Sequence, residues 1–174
     1  MNSNYKKKLK KIKLLIFDVD GVLTNGELFI FPDGKLVRKM NAKDGYALKI
    51  ALEKDYEIAI ITGGKEKEIE TRLSKLGIKH IFLKSYNKIK VLKKFLSDHN
   101  FKPQETMYMG DDIPDIDVLK YVGLSCCPND AVSDVINVCD YVSFRNGGSG
   151  CVRDIIEQLL RVNNKWDLDG NIKY

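Results

Sequence analysis

The sequence predicts an α/β fold built on a Rossmann-like, doubly wound parallel sheet. Short apolar runs alternate with longer stretches of helical periodicity along the chain. That alternation is typical of parallel strands joined by helices. Several of the apolar runs end directly in glycines, hydroxyls or carboxylates, which is expected where strands end beside a ligand site. The 174 residues suit one domain with a sizeable core.

The order of the predicted elements follows from these runs. Strands are expected at residues 13–18, 57–62, 79–83, 106–110, 124–126 and 141–143. Helices are expected between and after them, at 45–54, 65–76, 88–99, 116–121, 131–138 and 150–162. The helix at 65–76 has Ile69, Leu73 and Leu76 on one face, and Gly77 supplies its C-terminal stop.

One segment interrupts the alternation directly after the first strand. Residues 27–31 and 35–40 flank the turn Pro32-Asp33-Gly34, so they form a hairpin with strong turn chemistry. We therefore expect a flap over about residues 26–40. Its apolar residues exceed what a solvated hairpin needs. Two alternatives remain open, packing on its own domain or burial against another subunit.

Composition limits the cellular setting. No apolar stretch approaches the roughly 20 residues that span a bilayer, and the N-terminus lacks a signal-peptide pattern. The cysteines show no zinc-ligand spacing and are expected to be reduced; they are Cys126, Cys127, Cys139 and Cys151. These features favour the cytoplasm and no membrane partner.

The two ends of the chain are expected to lie outside the main domain, which covers residues 13–162. The net charge of +5 is concentrated in the lysine run at 6–13, which could contact nucleic acid or anionic lipid. The run contains no interleaved aromatics, so we favour a solvated, frayed lead-in over residues 1–12 and no nucleic-acid partner. The polar tail at 163–174, with Trp166, is expected to be loosely ordered or docked on a neighbour.

A pair of aspartates carries the chemistry. The buried-type run at 14–17 continues into Asp18-Val19-Asp20-Gly21. Two carboxylates this close repel each other unless a positive charge lies between them, and a divalent cation with oxygen ligands provides it. One aspartate can then attack phosphorus, while the other handles the proton of the leaving group. The pair therefore predicts a phosphate-handling enzyme.

Three further strand ends supply matching groups. Thr62-Gly63-Gly64 offers a hydroxyl and flexible amides, Lys88 offers a charge for a phosphoryl group, and Gly110-Asp111-Asp112 with Asp115 offers clustered carboxylates. Each alone has an ordinary explanation, such as a turn, a solvated helix residue or a helix cap. Together, in this order and each at a strand end, these groups are a specific indication of a phosphate-handling enzyme.

These motifs resemble the haloacid dehalogenase superfamily of phosphohydrolases. Over residues 12–160, the hairpin, the segment at 41–46 and the segment at 146–153 are similar to the capless 3-deoxy-D-manno-octulosonate 8-phosphate phosphatases. The resemblance implies a Rossmann-like domain with no separate cap domain, Mg²⁺ as cofactor, and a small phosphorylated sugar acid of lipopolysaccharide synthesis as substrate. It also implies a homotetramer in which hairpins form a central barrel and neighbouring subunits cover each site.

The same resemblance assigns roles to residues. Asp18 would be the nucleophile, Asp20 the acid and base, and Thr62 and Lys88 the phosphoryl contacts. The implied metal residues are Asp18, Asp20 through its carbonyl, Asp111 directly, and Asp112 in support together with Asp115. The implied substrate contacts are Asp20, Asn41, Ala42, Lys43, Asp44, Gly45, Lys49, Gly64, Arg72 and Lys88.

Two departures leave the substrate open. A family member has arginines where this chain has Lys49 and Gly64, and neither residue can reproduce an arginine fork on a carboxylate. A nonulosonate 9-phosphate is therefore an alternative to the octulosonate 8-phosphate. A non-catalytic homologue and a polynucleotide 3′-phosphatase also remain alternatives. A signalling receiver domain has similar groups but its phosphoacceptor lies two strands after its acidic pair, a different order from that found here.

Overall fold

The computed structural model of the protein describes residues 5–166. Its strands are β1 Leu14–Phe17, β2 Phe29–Ile30, β3 Leu36–Val37, β4 Glu57–Ile61, β5 His80–Phe82, β6 Thr106–Met109, β7 Leu124–Cys127 and β8 Tyr141–Val142. Its helices are α1 Tyr5–Leu9, α2 Ala42–Glu53, α3 Lys67–Lys75, α4 Lys88–Asp98, α5 Ile116–Tyr121, α6 Ser133–Ile136 and α7 Cys151–Val162. Short 3₁₀ turns at Pro103–Glu105 and Ile113–Asp115 precede β6 and α5.

Six strands form one parallel sheet in the order β5-β4-β1-β6-β7-β8. β1 is buried along its whole length, and its alternate side chains enter the two halves of the core. Leu15 and Phe17 pack with α2, α3 and α7, whereas Leu14 and Ile16 pack with α4 and α5. Helices therefore cover both faces, and the predicted α/β, doubly wound fold is confirmed.

The position of β1 determines where ligands can bind. The chain builds outward from β1 to β5 on one side and from β6 to β8 on the other, so its order reverses at β1. Phe17 is in register with Ile60 on β4 and with Met109 on β6. The residues that follow these three positions therefore emerge at one edge of the sheet. A crevice at such a reversal is the usual ligand site of an open parallel sheet.

The N-terminal residues differ from the expected solvated lead-in. Tyr5–Leu9 form a helix, and both Leu9 and Ile12 are buried in the core. The hydroxyl of Tyr5 donates to Oε1 of Gln158 at 2.7 Å, and the Lys8 ammonium lies 2.5 Å from Asp140 Oδ1. The prediction was wrong because the lysine run hides two apolar residues three positions apart, which face the same side of the chain.

The hairpin lies where it was expected. β2 and β3 pair antiparallel, but Phe29, Ile30 and Phe31 are 56%, 75% and 50% exposed. The β3 side does contact its own domain, because Met40 packs against the core. Packing within residues 5–166 therefore leaves most of the apolar surface of β2 uncovered.

The observed helix boundaries differ from the predicted ones where a capping side chain determines the first turn. α2 begins at Ala42, three residues earlier than predicted, because the side chain of Asn41 accepts a hydrogen bond from Lys43 N. Near the C-terminus, Trp166 packs on the core with its ring 5.6 Å from the guanidinium of Arg153. The rest of the predicted tail, 167–174, lies outside the described residues. Within residues 5–166, no helix has the length and hydropathy to cross a membrane.

Candidate active site

Asp18 lies at the C-terminal end of β1 and pairs with Lys88. Its Oδ1 accepts a hydrogen bond from Val19 N at 2.7 Å, and its Oδ2 lies 2.7 Å from Nζ of Lys88. Both side chains are less than a tenth exposed. Lys88 is the first residue of α4, which the side chain of Asn87 caps. The helix start therefore fixes the lysine beside the carboxylate.

The same ammonium group also contacts Asp115, which organises the loop after β6. Nζ of Lys88 lies 2.7 Å from Oδ1 of Asp115, and the Tyr108 hydroxyl donates to that oxygen at 2.5 Å. The other oxygen accepts from Asp111 N at 3.2 Å. Gly110 makes this possible, because a Cβ there would lie 2.4 Å from Cγ of Asp115. Asp115 is buried and thus holds Lys88 and the loop together.

The carboxylates of Asp18, Asp111 and Asp115 suit a metal ion. One oxygen from each lies within 4.8 Å of the others. Oδ1 of Asp111 is buried and has no hydrogen-bond partner among residues 5–166. Gly21, at φ +83°, passes so closely over Asp111 that a Cβ would collide with its carboxylate. The three carboxylates lie beside one ammonium group, that of Lys88, which among the three contacts only Asp18 and Asp115. A divalent cation would supply the missing positive charge and a partner for the orphaned oxygen.

The pKa values reflect the same excess of negative charge in the cleft. Burial, followed by the charges of Asp18 and Asp115, raises the pKa of Asp111 to about 8. Burial also raises the pKa of Asp18 to about 6, although the charge of Lys88 opposes it. Burial lowers the pKa of Lys88, but the two aspartates outweigh burial and raise it overall. A bound cation acts in the opposite sense on both acids.

Asp112, also expected near the metal, has a different setting. Its side chain is exposed, and Oδ1 accepts a hydrogen bond from Ile113 N at 2.8 Å, so it caps the turn Ile113–Asp115. It borders the cleft without joining the buried carboxylate cluster.

Asp20 faces the same cleft and has a partner that the sequence did not indicate. Nε and Nη2 of Arg38, just beyond β3, lie 2.6 and 3.0 Å from Oδ1 and Oδ2 of Asp20. Nη1 lies 2.9 Å from Oε2 of Glu66. The sequence analysis missed Arg38 and Glu66 because their contacts form only when the hairpin folds back over the end of β1. The cluster of charges in 35–39 was the only available signal.

Thr62 and its glycines complete the wall of the cleft. Thr62 is buried, and its Oγ1 accepts a hydrogen bond from Gly64 N at 3.1 Å. The cleft has a volume of about 440 Å³. Of the predicted site residues, it brings together Asp18, Asp20, Thr62, Gly64, Lys88, Asp111 and Asp112.

The remaining predicted substrate contacts do not line this cleft. Ala42, Gly45, Lys49 and Arg72 border a separate depression of about 300 Å³ between α2 and α3. Asn41 and Lys43 border another one beside α7. Asp44 is 1% exposed, and its Oδ1 accepts from Arg153 N at 2.7 Å. Asp44 therefore holds the start of α7 and does not face solvent in this chain.

This fold and site define the class, a haloacid dehalogenase-like hydrolase, and a sequence profile of that description matches residues 80–155. Over 160 residues the chain is 39% identical to the 3-deoxy-D-manno-octulosonate 8-phosphate phosphatase KdsC of Escherichia coli K12, covering 92% of this chain and 85% of that one. The chain belongs to the 3-deoxy-D-manno-octulosonate 8-phosphate phosphatase family.

Solved structures agree with this assignment. The Yersinia pestis 3-deoxy-D-manno-octulosonate 8-phosphate phosphatase superposes with a TM-score of 0.92 at 32% identity, over 95% of this chain and 89% of that one. The Moraxella catarrhalis phosphatase, in complex with magnesium, phosphate and the sugar acid KDO, has a TM-score of 0.92 at 28% identity over 95% of each chain.

Proposed function

We propose that the protein hydrolyses 3-deoxy-D-manno-octulosonate 8-phosphate to the free sugar acid and phosphate, using Mg²⁺. The observation that carries this proposal is the Asp18 carboxylate, held 2.7 Å from the Lys88 ammonium at the bottom of an acidic cleft, in a chain of this phosphatase family. An intact nucleophile with its cationic partner favours an enzyme over a non-catalytic homologue. It does not by itself select the sugar.

Two displacements at phosphorus account for the reaction. Asp18 attacks the phosphoryl group and forms an aspartyl-phosphate, while Asp20 donates a proton to the departing sugar oxygen. A water molecule then attacks the aspartyl-phosphate, and Asp20 takes its proton. The products are inorganic phosphate and regenerated Asp18. Lys88 and Thr62 hold the phosphoryl oxygens through charge and hydrogen bonds.

The cation site follows from the carboxylate cluster. Asp18 and Asp111 would hold Mg²⁺ together with the backbone carbonyl of Asp20, and Asp112 and Asp115 would support them. The bound ion supplies positive charge that neutralises the phosphoryl oxygens. Asp115 already contacts Lys88, Tyr108 and the loop amides, so its role is to keep the ligands and the lysine in place.

Assembly would explain the scattered substrate residues. We propose a homotetramer in which the exposed face of the hairpin is buried between subunits. The depression beside Lys49 and Arg72 would then contribute to a neighbouring active site. Two observations support this: the apolar side chains of β2 are more than half exposed, and those substrate residues lie outside the chain's own cleft. All four cysteines are free thiols, which supports a cytoplasmic location.

Two residues favour a second substrate. Gly64 contributes no side chain to the cleft wall, and Lys49 cannot form the bidentate contact of an arginine. A larger nine-carbon acid could therefore be accommodated. A nonulosonate 9-phosphate is the alternative, with the same chemistry at phosphorus.

The test is phosphate release with Mg²⁺ from a panel of esters. The panel contains the octulosonate 8-phosphate, two nonulosonate 9-phosphates, a hexose phosphate and a 3′-phosphorylated oligonucleotide. We expect the highest kcat/KM for the octulosonate ester. A preference for a nonulosonate would keep the reaction and change the substrate. No Mg²⁺-dependent release from any member would contradict the proposed function.

A further inference from the structure

The guanidinium of Arg38 connects the hairpin to one side chain of the catalytic cleft. Its Nε and Nη2 bind the two carboxylate oxygens of Asp20, one each, at 2.6 and 3.0 Å. Its third nitrogen, Nη1, binds Oε2 of Glu66 at 2.9 Å. Such a fork fixes the plane of a carboxylate as well as its position, which a single lysine contact does not.

Arg38 reaches Asp20 from behind the cleft. Asp20 lines the catalytic cleft, whereas Arg38 and Glu66 line a groove between the hairpin and α3. The Arg38 side chain is 7% exposed, and that of Asp20 is 36% exposed. A ligand in the cleft therefore meets Asp20 first. Arg38 acts on that ligand only through Asp20.

Glu66 holds the third nitrogen of the Arg38 guanidinium. Glu66 immediately precedes α3, and its Oε2 also accepts from Lys65 N at 3.1 Å. A Cβ on Gly64 would lie 3.6 Å from that same oxygen. That is an ordinary van der Waals distance, so the contact between Glu66 and Arg38 does not depend on the missing side chain at Gly64. The guanidinium is anchored at both sides and has little freedom to turn.

We propose that Arg38 is a positioning residue for Asp20, so that the placement of the hairpin governs the acid and base step. This inference rests on the proposed function for the role of Asp20. Proton transfer requires the carboxylate to be aimed at the leaving oxygen in one step and at water in the next. The two hydrogen bonds from Arg38, at the end of the hairpin, hold the Asp20 carboxylate in that orientation without contacting substrate. Misplacement of a catalytic group by about 1 Å costs about a hundredfold in rate.

The experiment compares Arg38→Ala and Arg38→Lys with the wild type and with Lys39→Ala, an exposed neighbour in the hairpin. Two esters are used, the sugar phosphate and p-nitrophenyl phosphate, whose leaving group needs no proton. For the sugar phosphate we expect Arg38→Ala to lower kcat by about 10–100-fold with KM changed by less than about twofold. Arg38→Lys recovers little, because lysine cannot form the fork.

With p-nitrophenyl phosphate, the expected signature is kinetic. Arg38→Ala should release one equivalent of nitrophenolate rapidly and then turn over slowly, because only the second step still needs Asp20. An unchanged kcat, a rise in KM alone, or equal slowing of both steps would overturn the proposal. Wild-type turnover of the nitrophenyl ester without turnover of any sugar ester would refute the proposed substrate and still permit this test.

A second variant covers the case in which Arg38→Ala does not fold. Glu66→Gln keeps both bonds to Asp20 and weakens only the anchor. We expect a smaller loss of kcat in the same direction, with the same burst. Glu66→Gln with wild-type kinetics, together with an unfolded Arg38→Ala, would indicate a structural role and contradict the proposal. Thermal unfolding of each variant identifies the folded ones.

Discussion

The ammonium of Lys88 lies 2.7 Å from Oδ2 of Asp18 and 2.7 Å from Oδ1 of Asp115. One lysine thus pairs with the proposed nucleophile and with the residue that organises the loop after β6. We predict that Lys88→Met lowers kcat at least about a hundredfold, because it removes the charge that we propose binds the phosphoryl oxygens. Steady-state phosphate release tests this. Lys90→Met, an exposed change on the same helix, is the control, and near-normal turnover by Lys88→Met would contradict the assignment.

The buried charge on Asp111 is a cost that a bound metal ion would offset. The pKa of Asp111 is raised in the fold to about 8, so the metal-free protein loses stability as pH rises from about 4 to about 8. At pH 9 we expect Asp111→Asn to raise the Tm of the metal-free protein by a few degrees, about 2–4 °C per kcal/mol. The same variant should lose the stabilisation that Mg²⁺ gives the wild type. Asp117→Asn, exposed on α5, should do neither; a less stable Asp111→Asn would contradict this account.

Magnesium binding should release protons near neutral pH. With a pKa of about 8, Asp111 is mostly protonated at pH 7, and it must ionise to bind a cation. We expect release of about one proton per ion at pH 7 and almost none at pH 9, with affinity rising between them. Titration calorimetry in buffers of different ionisation enthalpy measures the number. No proton release at pH 7 would contradict the metal site as described.

The sequence was sufficient to predict the strand ends and most of the residues that line the cleft. Apolar runs ending in Asp18, Thr62 and Gly110 identify parallel strands whose ends meet at one edge, and the structure confirms that geometry. Lys88 was found because it opens a helix after a predicted strand. These positions depend on local pattern and on the common direction of the strands, so single-sequence reasoning reaches them.

What the sequence could not give depends on tertiary packing. Arg38 becomes a partner of Asp20 only after the hairpin folds back, and Asp44 is buried only because the start of α7 lies against α2. The helix α1 was missed because its lysines mask Leu9. The predicted substrate residues are divided among the cleft and two separate depressions. This division likewise follows from where α2, α3 and α7 face, which no local motif records.

The hairpin offers a test of assembly. Ile30 is 75% exposed on β2, and a charge there opposes burial of that face. Light scattering of the wild type should give about four times the 19.8 kDa of one chain, and Ile30→Asp should give smaller species. Tyr121→Asp, a comparable change on α5, should leave the assembly unchanged. A monomeric wild type would refute the tetramer.

The most direct test of the central claim is to locate phosphate on the protein during turnover. Wild type and Asp20→Asn are mixed with the octulosonate 8-phosphate and Mg²⁺, quenched in acid, digested and analysed by mass spectrometry. We predict one phosphoryl group on Asp18, transient in the wild type and accumulating in Asp20→Asn because the second step has lost its base. The same treatment of Asp18→Asn should give none. Turnover of the ester with no covalent phosphate, or with phosphate on another residue, would contradict the account.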